Sequence, residues 1–187
     1  MKKLIVILLG TFLMSVALDV TAQAQQSTKS KTKAKAFVKA DDSPMPYTAS
    51  YSSQFIMGDP AKGRIILSLW KDFDENDFDR NKDMFADTVT MYLANGMIQK
   101  GRDSMLIGVK AYRNSLADVK STVHAWMSLR SVDQNHDWVA IWGSEEITEK
   151  DGKKSGGSLH EIWRFNKDGK VDEMRQFTST IVPDLPE

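Results

Sequence analysis

Ser158–Ser179 reads SLHEIWRFNKDGKVDEMRQFTS. Two apolar-alternating runs, Leu159–Phe165 and Val171–Thr178, flank the turn Asn166-Lys167-Asp168-Gly169-Lys170. Asp-Gly between such runs is a hairpin signal, because glycine accepts the positive φ these turns require. The rest of the globular part reads as one small domain closing onto this hairpin.

Upstream, two further strands are expected at Thr122–Val132 and Trp138–Thr148. They are joined through Gln134-Asn135-His136-Asp137. The stretch Asp151–Gly157 connects them to the terminal hairpin. A shorter hairpin is expected before them, with Thr88–Leu93 and Met97–Lys100 meeting at Asn95-Gly96. Three helices are predicted. The first starts at Asp59-Pro60, an N-cap followed by proline at the first helical position. It carries Ile65, Ile66, Leu69, Trp70 and Phe73 on one apolar face. The second is short, Arg80–Phe85, and the third spans Ser104–Ala117. Helices followed by a meander imply an α+β domain, with helices covering one face of a strongly bent sheet.

The chain has 187 residues, and its first part does not read as fold. Lys2-Lys3, the apolar run Leu4–Leu18 and Thr21-Ala22-Gln23-Ala24 form the three regions of a secretory signal peptide. Cleavage is expected after Ala24, with Ala22 as the alternative. The run is shorter than the roughly 20 residues a spanning helix needs. The expectation is an exported protein, periplasmic or secreted, with no stable membrane insertion after cleavage. Residues 25–50 are rich in Lys, Ser, Thr, Ala and Gln and read as a disordered linker. Its lysines are a solvated spacer or, alternatively, a tether to an anionic surface. The domain is placed at 51–182, with a tail at 183–187.

There is no cysteine, which excludes disulfides, thiol nucleophiles and thiolate metal sites. The 25 basic and 25 acidic residues balance, so nothing argues for nucleic acid as a partner. Asp77, Asp79 and Asn81 resemble the start of a calcium loop, but Lys82 and Thr88 stand where it needs Gly and Glu. His124, His136 and His160 show no ligand-pair spacing, so no metal site is expected. Serine-nucleophile and phosphate-loop motifs are absent, and no cofactor is called for.

A hairpin centred near Gln134 pairs Trp126 with Trp142, Ser128 with Ala140 and Arg130 with Trp138. Alternation then puts Met127, Leu129, Val139, Ile141, Glu161, Trp163 and Phe165 on the helix-covered face. Glu161 is therefore a carboxylate in an apolar concavity. It acts either as a general base with a raised pKa or as a hydrogen-bonded structural group. The other face carries Trp126, Trp138, Trp142 and Arg164, with His160 and Ile162. That composition suggests a homodimer packed sheet to sheet, unless the N-terminal tail covers some of the tryptophans.

The pattern resembles the nuclear transport factor 2-like superfamily, near its SnoaL-like members, over about Gly58 to Ser179. The resemblance rests on the Trp70 helix, Phe85-Ala86-Asp87, Gly101-Arg102-Asp103 and above all Trp163–Val171. It implies a cone-shaped fold, a curved mixed or antiparallel sheet wrapping helices, with a pocket at the open end. Members include isomerases, dehydratases, cyclases and binding-only proteins, so the fold leaves function open. SnoaL-like cyclases carry a His and an Asp on the last strand, where this chain has Met174 and Gln176. Neither can shuttle a proton.

The expectation is therefore an exported, dimeric pocket protein for a small apolar or amphipathic molecule. Trp70, Tyr112, Met127, Trp163, Met174 and Gln176 are the expected ligand contacts. One alternative is an enzyme moving a proton beside a carbonyl, with Glu161 as base. Another is an adaptor acting through its tryptophan face.

Overall fold

The computed structural model describes residues 45–180. The signal peptide, all but the last residues of the linker, and the tail lie outside the described residues.

Among the described residues, two α-helices and seven strands follow one another. Strand β1 (Phe55–Met57) precedes helix α1 (Pro60–Glu75). Then come β2 (Phe85–Tyr92), β3 (Ile98–Lys100) and helix α2 (Arg102–Ser115). Four long strands complete the chain: β4 (Leu116–Ser131), β5 (His136–Glu149), β6 (Lys154–Phe165) and β7 (Val171–Ser179). They form one sheet in the order β1-β4-β5-β6-β7-β2-β3. Strands β4 to β7 are the expected antiparallel meander, and β2 joins β7 in parallel, which makes the sheet mixed.

The helix α1 begins as its sequence predicts. Asp59 accepts a hydrogen bond from the Ala61 amide at 2.8 Å, and Pro60 fills the first turn. The helix ends at Asn76 in the left-handed region, φ 55°. From α2, the buried Arg113 donates to the carbonyls of Phe73 and Asp74, both at 2.9 Å. A guanidinium thus satisfies two end carbonyls of α1 where the helix dipole favours positive charge.

The terminal hairpin closes as read. Gly169 has φ 75°, and the Asn166 side chain accepts from the amides of Asp168 and Lys170. The apolar core lies between the helices and the inner sheet face. It includes Ile66, Leu69, Val89, Met105, Val139, Ile141, Phe165 and Val171.

Three expectations are corrected. There are two α-helices rather than three. The segment Arg80–Phe85 holds only a single 3-10 turn, Lys82–Met84, because Arg80 and Asn81 turn back to bond Asp72. Strand β1 was not expected; it is an exposed edge strand paired with Leu129–Ser131.

The third correction concerns register. The β4–β5 hairpin pairs Ser131 with His136 across a four-residue loop, so Trp126 faces Ile141 and Met127 faces Ala140. The Ser131 hydroxyl bonds Asp133 and accepts from the Gln134 amide, which holds that loop. Trp126 therefore lies on the helix side. A Cβ placed on Gly63 of α1 would come within 2.2 Å of its ring. Met127 moves to the outer face. The register changes again between Val123 and Ala125, where a bulge at His124 keeps Val119 and Ser121 on the inner side.

Candidate functional site

Helix α1, helix α2 and the inner face of the sheet enclose a cavity of about 630 Å³. Its lining is mostly apolar and aromatic, as ligand sites usually are. Of the residues singled out in the sequence, Trp70, Tyr112, Trp163, Met174, Gln176 and Glu161 line it. Met127 does not.

Glu161 is the polar centre. Only 5% of it is exposed. Oε2 accepts hydrogen bonds from Trp70 Nε1 at 2.6 Å and Trp163 Nε1 at 3.0 Å. Oε1 accepts from Gln176 Nε2 at 3.0 Å. Each partner arrives by a separate structural cause. Trp163 lies two residues along the same strand, hence on the same face. Gln176 stands directly opposite Glu161 across the β6–β7 ladder. Trp70 reaches over from α1, and its ring passes the sheet at Gly143, where a Cβ would lie 2.8 Å from it. Gln176 is oriented in turn, because its carbonyl oxygen accepts from the Ala94 amide at 3.4 Å.

Burial raises the pKa of Glu161, while hydrogen bonds from Gln176, Trp70 and Trp163 act in the opposite sense. No cation contributes. An indole N–H can only donate, so Oε2 remains an acceptor in either protonation state. A carboxylate offers about four acceptor positions. Three are used here, which leaves one on Oε1.

A second carboxylate shares the cavity. Burial raises Glu145 to about 7, with further upward pushes from the charges of Glu161 and Asp74 and a downward one from Arg113. The Tyr112 hydroxyl is raised too, by burial and then by Glu145 and Glu149. Asp72 also lines the cavity, but Arg80 Nε and Asn81 Nδ2 bond it at 2.6 and 2.8 Å.

Phe73, Phe85, Met91 and Met105 complete the lining and were not anticipated there. Phe73 had a signal, its place on the apolar face of α1. Phe85 and Met91 had none, because the parallel β2–β7 pairing is announced by no local turn. Among the described residues, no group of three His, Cys, Asp or Glu side chains is arranged to hold a metal ion.

On the outer face, His160 stacks between Trp142 at 4.8 Å and Phe177 at 5.9 Å. Trp142 is 37% exposed and Phe177 52%. Arg164 lies over the Trp138 ring and pairs with Asp172 at 2.9 Å. Tyr51 packs edge-on against Trp138 from the other side, so part of this face is covered by the chain itself.

No protein-family model matches the chain, and neither does any curated protein. Solved structures do match. An NTF2-like protein of unknown function from Exiguobacterium sp. 255-15 is 22% identical, with a TM-score of 0.51 over 62% of this chain and 98% of that one. An LEH-like epoxide hydrolase of M. tuberculosis is 9% identical, with a TM-score of 0.53 over 63% and 82%. The epoxide hydrolase/cyclase-like enzyme SalBIII, which acts in pyran ring formation in salinomycin, is 19% identical, with a TM-score of 0.51 over 64% and 91%. Together with the helices on a curved mixed sheet, these likenesses identify the fold of this chain as the nuclear transport factor 2-like, or cystatin-like, fold.

Proposed function

We propose that this domain binds a small, largely apolar molecule carrying one hydrogen-bond donor, which docks on Glu161. The observation that carries this reading is the buried carboxylate in a mostly apolar cavity wall that includes Trp70, Trp163 and Tyr112. It is held by three neutral donors and keeps one acceptor position on Oε1. Such a group fixes a ligand's orientation, while the aromatic walls supply most of the contact area. The full proposal is an exported homodimer, paired through the Trp142–His160–Phe177 stack. Trp126 has no part in that interface. A native mass spectrum of the protein from its exported fraction tests both parts. A co-purified small molecule on a dimer is the expected result, and a bare monomer would count against both.

A second reading is favoured by the upward shift of Glu145 and Glu161, since a carboxylate made more basic by burial suits proton transfer. Two structural neighbours are named as epoxide hydrolase or cyclase-like enzymes, which adds to it. In this reading Glu161 takes a proton beside a carbonyl, and the Tyr112 hydroxyl steadies the oxygen. Enolisable cyclic ketones in heavy water would then exchange their α-hydrogens, and Glu161→Gln would abolish exchange while leaving binding intact. No exchange above background across such a series removes this reading.

A further inference from the structure

The charges of the cavity narrow the class of ligand further, on the premise that a ligand docks on Glu161 as proposed. Among the described residues, the lining contains Asp72, Glu145 and Glu161, and no Lys, Arg or His. Asp72 is already neutralised by Arg80. Glu161 receives only neutral donors. Around Glu145, the charges are those of Glu161, Asp74 and Arg113. Arg113 directs Nε and Nη2 at the carbonyls of Phe73 and Asp74. Once ionised, Glu145, Glu161 and Asp74 face the single guanidinium of Arg113. In an apolar cavity this imbalance repels an anion and leaves a neutral molecule without gain.

We propose that the ligand is a protonated amine on an aromatic or aliphatic body, with its ammonium directed at Glu161 and Glu145. The open acceptor position on Oε1 takes an ammonium N–H. Trp70, Trp163 and Tyr112 line the same space, and aromatic rings attract cations when both are desolvated. A hydrogen bond between two charged groups is stronger than one from a neutral hydroxyl. That difference sets the selectivity.

Calorimetric titration of the full chain with phenylbutylamine, phenylbutanol and phenylbutyrate, at about pH 8, tests it. The three probes share a body and differ in the head group. The amine is expected to bind about tenfold or more tighter than the alcohol, and the carboxylate not at all. Glu145→Gln, which removes the charge and keeps the size of the side chain, should bring the amine close to the alcohol. Glu161→Gln should weaken the amine further. Alcohol binding as tightly as amine overturns the charge inference and leaves the apolar-ligand reading standing. An amine preference that survives both substitutions also overturns it. Binding of none of the three overturns both.

Discussion

Both faces of the sheet carry tryptophans, and they differ in where the indole nitrogen goes. On the inner face, Trp70 and Trp163 place their N–H groups on one carboxylate oxygen. On the outer face, the Trp138 nitrogen is buried with no hydrogen-bond partner, and Trp142 is held only by ring stacking. Trp70 and Trp163 are thus part of a polar site built inside an apolar cavity. The outer ones offer apolar area and nothing that specifies a ligand. Residue type alone does not separate these uses; the position of one acceptor does.

The largest test of that contrast is to remove the acceptor. Glu161→Leu leaves two buried indole N–H groups unsatisfied and should cost about 3 kcal/mol. Glu161→Gln keeps a carbonyl oxygen for them and should cost about 1 kcal/mol. Urea unfolding of both variants measures the difference. Equal stabilities would mean that the indoles do not depend on Glu161, and the inner face would then be no more organised than the outer.

Next in size is a test of which side Trp126 occupies. Gly63→Ala would ordinarily stabilise an exposed helix by about 1 kcal/mol. Here the added methyl meets the Trp126 ring at 2.2 Å. Overpacking of this kind costs about 1–3 kcal/mol and should reverse the sign. A smaller residue at position 126, in Gly63→Ala with Trp126→Leu, should recover most of the loss. A stabilising Gly63→Ala would return Trp126 to the outer face.

The Trp126 position also shows where sequence reasoning stops. The terminal hairpin was legible because Asp168-Gly169 fixes a turn and alternation then sorts both strands. Alternation carried through β5 and β6 assigned Glu161 and Trp163 to the inner face, and the family resemblance assigned Met174 and Gln176 to the pocket; all four line the cavity. The β4–β5 loop has no such marker. Gln134-Asn135-His136-Asp137 fits more than one loop, and centring it one position off inverts every side chain of β4. That is why Met127 was misplaced into the cavity and Trp126 out of it. The bulge at His124 then shifts the phase again, which alternation alone does not reveal. The missing helix has a similar cause: Arg80 and Asn81 serve Asp72, a long-range use that propensity does not encode.

A third effect separates the faces by pH. Glu145 titrates at about 7 in the native protein against 4.5 as a free side chain. Between those values the native state holds a proton that the unfolded chain has released. Stability therefore falls as pH rises from about 4.5 through 7. The loss is about 2 kcal/mol after allowing for partial exposure. Glu145→Gln should flatten the profile over that window, measured by urea midpoints at fixed ionic strength. A profile unchanged by the substitution would place the titration elsewhere.

The smallest expected change in fold stability is on the outer face, and it is there that assembly should respond most. Trp142→Arg loses a stack on His160 worth about 1 kcal/mol and leaves the core untouched. It also puts a charge at the centre of the proposed dimer contact, where two copies would face each other and repel. Sedimentation velocity should report a folded monomer, with affinity for phenylbutylamine retained. The new side chain makes no direct contact with Glu161, because the side chains of Trp142 and Glu161 stand on opposite faces of the sheet. If Trp142→Arg leaves the dimer intact, the stack is not the contact. If it abolishes amine binding without altering the monomer's stability, the two faces are not independent, and the cavity needs the second copy to hold its shape.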